Sequence, residues 1–338
     1  MKVNRKELLN ELGELAPGLS ESEIIEQSNC FMFSEGKVYT YNDSFLAQRE
    51  CNLDVKGAVI AKPLLKLLDK TDEEELDISV GDNQVLIKGK AFKAGIPIQD
   101  AISFPLEAII PEEPQYTELP ELFGVGLDMV RYAAGKDMTY PALTCIHADK
   151  NIVEACDGFQ AITYLLGEDL YFEEEFFLPA KHVNAIMLIE PDQYYLGESF
   201  IHFQNTKTRS QLSCRLFDVE YPSIAGFFDV KGEKIRFPKQ ASDIVERASV
   251  FSQEEFNKDS LVHVRIKENL MLIEGQNEQG WYKEKCRLRY KGTPVQFNIN
   301  PKMLSSILEL NTNLIVGERA IKIEGENFEY IVTIIKKD

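Results

Sequence analysis

The apolar and polar positions along the chain change rhythm in a repeated order. In KPLLKLLDK (62–70), Leu64, Leu65 and Leu68 form one stripe, while Lys62, Lys66 and Lys70 fall at i, i+4 and i+8 on another face. That spacing predicts a short amphipathic helix. The following DEEE (72–75) is a polar link, and after it the rhythm turns to the alternation of two strands, closing at Phe104-Pro105. A second pass, LPAKHVNAIMLIEPDQYYLGESFIHFQNTKTRSQLSCRLFDVEYP (178–222), ends at Tyr221-Pro222, and a third, INPKMLSSILELNTNLIVGERAIKIEGENFEYIVTIIKKD (299–338), ends at the last residue given. A lysine opens each pass, at Lys62, Lys181 and Lys302.

The segments before these passes agree as well. Helix-patterned LLNELGEL (8–15), LDMVRYAAGKD (127–137) and ASDIVERASVF (241–251) each lead to a pair of strands. The pairs span 29–51, 143–166 and 261–286, and they turn at SEGK, ADKN and KENL. VYTYND, VEACDG and MLIEGQ are expected at corresponding places. The period is therefore that of a domain rather than a solenoid. The fold class expected is α+β: three copies of one unit over 1–113, 114–228 and 229–338, each with two helices packed on antiparallel sheet. PEEPQYTELPE (111–121) and FDVKGEKIRFPK (228–239) read as linkers.

Composition narrows the function classes. The 338 residues are 44% hydrophobic and 27% charged, as in globular proteins. No apolar run approaches the roughly 20 residues that span a bilayer, and the first residues lack a signal-peptide core, so a cytoplasmic protein with no membrane partner is expected. Six scattered cysteines without a CxxC pair read as reduced and buried. The net charge of −18 argues against adhesion to nucleic acid over the whole surface and leaves only local basic faces for that role.

Catalysis finds little support. His147, His182, His202 and His263 show no metal-ligand spacing, FGVGL (123–127) lacks the third glycine of a dinucleotide fingerprint, and there is no P-loop. No cofactor or metal is expected, and Asp157 reads as a turn residue rather than a base.

Taken together, NPKMLSSIL (300–308), IVERASVFS (244–252), EACDGFQ (154–160) and RLFDVEYP (215–222) resemble the bacterial-type DNA sliding clamp, the beta subunit of the replicative DNA polymerase. The resemblance follows the whole chain and lies in the order and spacing of its parts. It implies a homodimer of three-domain protomers closed into a ring, with helices lining a hole that holds duplex DNA. It also implies no catalysis, loading by a clamp-loader ATPase, and tethering of a DNA polymerase. Two alternatives remain at this point: a clamp-shaped hub recruiting transcription or repair factors, and an enzyme whose site is assembled from distant residues.

The resemblance places a partner-peptide cleft on Leu143, Cys156, Gly158, Phe159, Gln160 and Ala161 from the second unit. Phe256, Asn300 and Met303, and Val332, Thr333, Ile334 and Ile335 of the last strand, would come from the third. The DNA-facing bore would carry Arg5, Lys6, Lys62, Lys66, Lys70, Arg131, Lys136, Tyr140, Lys181, Lys239, Arg247 and Lys302. Phe159-Gln160-Ala161 departs from the His-Arg-Leu type triplet usual in that family, and TIIKKD departs from its Met-Pro-rich end. These departures suit a phage or mobile-element clamp with its own partner peptide.

Overall fold

The computed structural model describes residues 1–23, 25–100, 106–167, 172–252 and 260–336. Phe104, Pro105 and Phe256 lie outside them.

One order of elements recurs three times. The first run holds β1 (Lys2–Asn4), α1 (Arg5–Glu14), β2 (Cys30–Ser34), β3 (Lys37–Tyr41), β4 (Phe45–Glu50) and β5 (Gly57–Ile60). It continues with α2 (Ala61–Lys70), β6 (Glu75–Gly81), β7 (Gln84–Lys88), β8 (Lys93–Gln99) and the single turn α3 (Leu106–Ile109). The second holds β9 (Thr117–Glu118), α4 (Phe123–Val130), β10 (Cys145–Lys150), β11 (Ile152–Cys156), β12 (Gln160–Leu165) and β13 (Phe172–Pro179). After it come α5 (Val183–Ile189), β14 (Gln193–Leu196), β15 (Phe200–Asn205) and β16 (Ser210–Arg215). The third holds β17 (Glu233–Arg236), α6 (Ala241–Ser249), β18 (Val262–Lys267), β19 (Leu270–Asn277), β20 (Gly280–Arg287) and β21 (Val295–Ile299). It closes with α7 (Pro301–Leu310), β22 (Asn313–Val316), β23 (Ala320–Glu324) and β24 (Phe328–Thr333).

The chain divides into two compact units, Met1–Gly124 with Lys181–Asp218, and Val125–Ala180 with Val219–Asp338. The first contains a 12-stranded sheet in the order β1-β6-β7-β8-β5-β2-β3-β4-β16-β15-β14-β9. The second contains an eight-stranded sheet, β13-β10-β11-β12-β24-β23-β22-β17, and a four-stranded one, β20-β19-β18-β21. The joins repeat: β4 pairs antiparallel with β16, and β12 with β24.

The helices form where their stripes find cover. On α2, Ala61, Leu64 and Leu68 are buried and the lysines are not; on α7 the buried set is Pro301, Leu304, Ile307 and Leu308. Asn4 caps α1 by accepting from the amides of Lys6 and Glu7, and Asn300 caps α7 by accepting from Lys302 and Met303. Within the first unit α1 lies beside α2, and within the second α6 lies beside α7.

Three hairpins share one turn. The side-chain oxygen of Asn42 accepts from the amides of Ser44 and Phe45 at 3.0 and 2.9 Å. Asp157 accepts from Phe159 and Gln160 at 2.8 and 2.9 Å, and Asn277 from Gln279 and Gly280 at 2.9 and 3.1 Å. Each is an Asx turn, in which a short polar side chain replaces a backbone acceptor. Asn277, not Gly275, is the equivalent of Asp157, so IEGQNE rather than MLIEGQ corresponds to VEACDG. The offset arises because β19 has eight residues where β3 and β11 have five.

The stretches read as linkers are built into the fold. Thr117 pairs with Tyr194, Glu233–Arg236 forms a strand against β22, and Phe228 and Phe237 are buried.

Candidate functional site: an apolar cleft and basic helix faces

The pair of residues facing each other just before each turn differs in size. It is Tyr41 opposite Leu46 in the first hairpin, Cys156 opposite Ala161 in the second, and Gln276 opposite Trp281 in the third. In the first unit Tyr41 and Leu46 pack with Met32, Phe200 and Ile109, and their volume fills the sheet face. In the second unit Cys156 and Ala161 are small, and they pack with Ile224, Phe228 and Ile331 below an open cleft. Its volume is about 630 Å³.

Leu143, Cys156, Gly158, Phe159, Gln160, Ala161 and Thr333 line this cleft, seven of the positions expected from the sequence. Asn300 and Met303 are not among its lining residues; Asn300 is occupied in capping α7. Val332 and Ile334 are buried, and Ile335 is exposed but bound by its backbone to Asn298 at 2.7 and 2.9 Å. The opposite wall is not foreseen by the sequence: it is made by Pro222, Ile224, Phe227, Val230 and Lys231, with Arg319 and Ile331 completing it. Its one sequence signal is Tyr221-Pro222, which marks the end of a repeat.

The rim is rigid by hydrogen bonding and apolar by exposure. Gly158 has φ +89°, a conformation that L side chains rarely adopt, and this lets the chain cross the turn. The carbonyl of Phe159 accepts from the amide of Thr333 at 2.8 Å. Gln160 Nε2 donates to the Tyr132 carbonyl and to Asp157, each at 3.0 Å, and its Oε1 accepts from the Tyr330 hydroxyl at 2.6 Å. Phe159 and Phe227, each 61% exposed, stand on the two sides. Two exposed rings held by a satisfied backbone are suited to gripping an apolar side chain.

Beneath the cleft, the Tyr221 hydroxyl donates to Cys156 Sγ at 3.6 Å, and burial holds its proton on by raising the phenol. His147 stacks 5.3 Å from Phe177 and lies 2.9 Å from Glu154 and 3.1 Å from Glu175. Burial would lower this imidazole, but the hydrogen bonds and charges of the two carboxylates outweigh it and the net shift is upward. Lys322 donates to the Phe228 carbonyl at 3.1 Å and pairs with Glu324 at 2.9 Å and with Glu329. Burial works to lower it, and the two carboxylates raise it. All six cysteines are free and buried, and burial pushes Cys30 and Cys145 up to about 11. No group of metal-ligating residues occurs among the described residues.

The basic positions divide into exposed and engaged. Lys6, Lys62, Lys66 and Lys70 on α1 and α2, with Lys181, are exposed in the first unit; Lys136, Tyr140, Lys239 and Lys302 are exposed in the second. Arg131 pairs with Asp128 at 2.7 Å and lies over the Tyr132 ring, and Arg247 binds Glu284 at 2.8 Å. Arg5, expected to face DNA, is buried and bound to carbonyls of the chain. Its Nε donates to Glu73 at 3.0 Å and its Nη1 to Leu68 at 2.7 Å.

No protein-family model matches the chain, and no curated protein matches it in sequence. Solved structures match it end to end. The DNA polymerase III subunit beta from Pseudomonas aeruginosa is covered fully, as is this chain, with a TM-score of 0.81 at 16% identity. The beta subunit from the DNA polymerase of Streptococcus pyogenes gives 0.84 at 16%, over 99% of both chains. A DNA polymerase III beta sliding clamp from Bartonella birtlesii bound to griselimycin gives 0.83 at 16%, over 100% of this chain and 99% of that one. The chain has the sliding-clamp fold.

Proposed function

We propose that the protein is a DNA sliding clamp, a processivity factor without catalysis of its own. The observation that carries this reading is the similarity of fold to DNA polymerase III beta clamps over the whole length of both chains. In this reading 1–113, 114–228 and 229–338 are three clamp domains. Two molecules close a ring around duplex DNA, a clamp loader opens it, and a polymerase is tethered, all in the cytoplasm.

The charge pattern supports the reading. A topological link requires no tight phosphate contact, and an acidic protein with modestly basic helix faces slides rather than adheres. Lys62, Lys66 and Lys70, all exposed on one helix, are the leading candidates for such a face. Lys6, Lys136, Lys181, Lys239 and Lys302 accompany them.

The cleft of the second unit takes the apolar tail of the polymerase or loader. Phe159 and Phe227 give it an aromatic rim that suits the partner of a phage or mobile element. The test is retention on DNA. Loaded protein is expected to stay on a nicked circle and to run off once the circle is cut. Equal retention on circular and linear DNA would overturn the reading.

A further inference from the structure

The wall opposite Phe159 crosses the sheet without joining it. In the stretch 221–230, Phe227 donates its amide to the Ile224 carbonyl and Val230 to that of Phe228, both at 2.9 Å and both inside the stretch. Ile224 and Phe228 bury their side chains against Cys156, Ala161 and Ile331. Among the described residues, one bond ties this backbone to the sheet beneath, from Lys322 Nζ on β23 to the Phe228 carbonyl at 3.1 Å. In the first unit the counterparts Leu106, Ile109 and Ile110 pack on the large side chains of Tyr41 and Leu46. In the second, the small Cys156 and Ala161 leave the cleft open, and less apolar contact is left to hold the wall down.

The sister positions show what is particular to Lys322. The last hairpins of the two units align because Phe200 faces Arg215 and Ala320 faces Thr333. Lys322 therefore stands where the first unit has His202, and Glu324 and Glu329 stand where it has Gln204 and Gln211. There the two glutamines bond each other at 3.3 Å, and His202 turns to Ser213 Oγ at 2.8 Å. In the second unit two carboxylates face each other, an arrangement that repels on its own. Lys322 pairs with both and keeps one donor for the wall, so the three donors of its ammonium are all engaged. Its side chain is 10% exposed, so water competes little for these bonds.

We infer that Lys322 is a positioning residue of the cleft: it pins the Phe228 carbonyl and thereby sets how far Phe227 stands from Phe159 across the opening. Lys322 is not among the residues that line the cleft, so it acts on a bound tail only through the wall. That the gap receives an apolar partner tail rests on the capture role proposed above; the pin itself does not. Without the pin the wall keeps the burial of Ile224 and Phe228 and the Tyr221 hydroxyl on Cys156 Sγ, and it opens at the end that carries Phe227.

Cys156 reports the position of the wall, because Ile224 and Phe228 pack over it and burial holds its thiol above the ordinary range. The rate at which N-ethylmaleimide modifies each cysteine of the native protein is read by peptide mass mapping. Lys322→Met is expected to speed Cys156 by about tenfold, the factor that one charge-assisted hydrogen bond supports, and to leave Cys30, Cys51 and Cys214 of the first unit at their own rates. Lys322→Arg, which keeps the charge and the donors, should keep Cys156 protected. Should Lys322→Met fail to fold, Lys322→Met combined with Glu324→Gln and Glu329→Gln copies the glutamine pair of the first unit and carries the same expectation. An unchanged Cys156 rate, an equal rise in Lys322→Arg, or a rise shared by all six cysteines overturns the pin. Retention on DNA separates the two readings. Native protein held equally by nicked and cut circles overturns the clamp reading, while faster Cys156 in Lys322→Met still supports the pin. Protein retained only on circles, with Cys156 still protected in Lys322→Met, overturns the pin alone.

Discussion

The imidazole of His182 lies 4.4 Å, centroid to centroid, from the ring of Phe45, and neither of its nitrogens has a hydrogen-bond partner among the described residues. Burial, helped by nearby Lys181, lowers it to about 3, so it is neutral at pH 7. A buried polar group without a partner costs about 1–3 kcal/mol. His182→Leu is therefore expected to raise stability by about 1 kcal/mol or more, read as a higher midpoint in urea. A lower midpoint would refute the account.

The same residue sets a dependence on pH. Its folded pKa lies below the ordinary value of 6.5 for the unfolded chain, so the unfolded state takes up the proton first. Its contribution is fully present above that value, and stability is lost as pH falls towards 3. His202, lowered by burial to about 4, acts in the same direction. His182→Leu should flatten the acid limb of a stability–pH curve, and an unchanged limb would count against this cause.

Asp157 holds its turn through one carboxylate oxygen and two amides. Asn42 and Asn277 do the same work with an amide side chain. Asp157→Asn keeps these two acceptances and gives up only the Gln160 Nε2 bond to the second carboxylate oxygen, so it should cost less than Asp157→Ala, which loses all three bonds at about 1 kcal/mol each. Equilibrium unfolding of the two variants decides it, and equal losses would sink the argument.

Phe159 is exposed at the cleft rim and contributes to its turn by backbone alone. Phe159→Asp should leave the fold intact and weaken capture of an apolar polymerase or loader tail at least tenfold, measured by fluorescence anisotropy with a labelled peptide. Undiminished affinity would remove the cleft from the proposal.

Arg5 and the lysines of α2 should separate cleanly. Arg5→Ala removes charge-assisted hydrogen bonds to the Glu73 and Leu68 carbonyls, which costs about 2 kcal/mol of stability. The triple change Lys62→Ala, Lys66→Ala and Lys70→Ala should barely alter stability. It should make the salt dependence of DNA binding shallower, by about 0.9 in logarithmic slope for each phosphate that is no longer neutralised. The opposite pattern would return Arg5 to the DNA-facing set.

How much of the molecule is legible in the sequence follows from what sequence can encode. Local rhythm is visible, so the helices around Leu64 and Leu304 and the hairpin at Asp157-Gly158 can be placed. Strand length is not: β19 extends to Asn277, and this displaces the third repeat by two positions from the alignment that rhythm suggests. Arg5 looks like any basic residue opening a helix, because its acceptors at Leu68 and Glu73 lie more than 60 positions away. The cleft is half legible. Its turn side carries compact signals, while Val230 sits in a stretch rich in charge that reads as a linker and Phe227 lies just before it.

The three Asx turns have a consequence for how such a molecule acquires interfaces. A shared scaffold leaves each copy free to vary the two side chains beside the turn, and that choice alone distinguishes a sealed wall from a socket. Shrinking Tyr41 and Leu46 to the sizes found at Cys156 and Ala161 should hollow out a second socket in the first unit. After triplication, evolution could specialise one module for capture without disturbing the architecture that all three inherit.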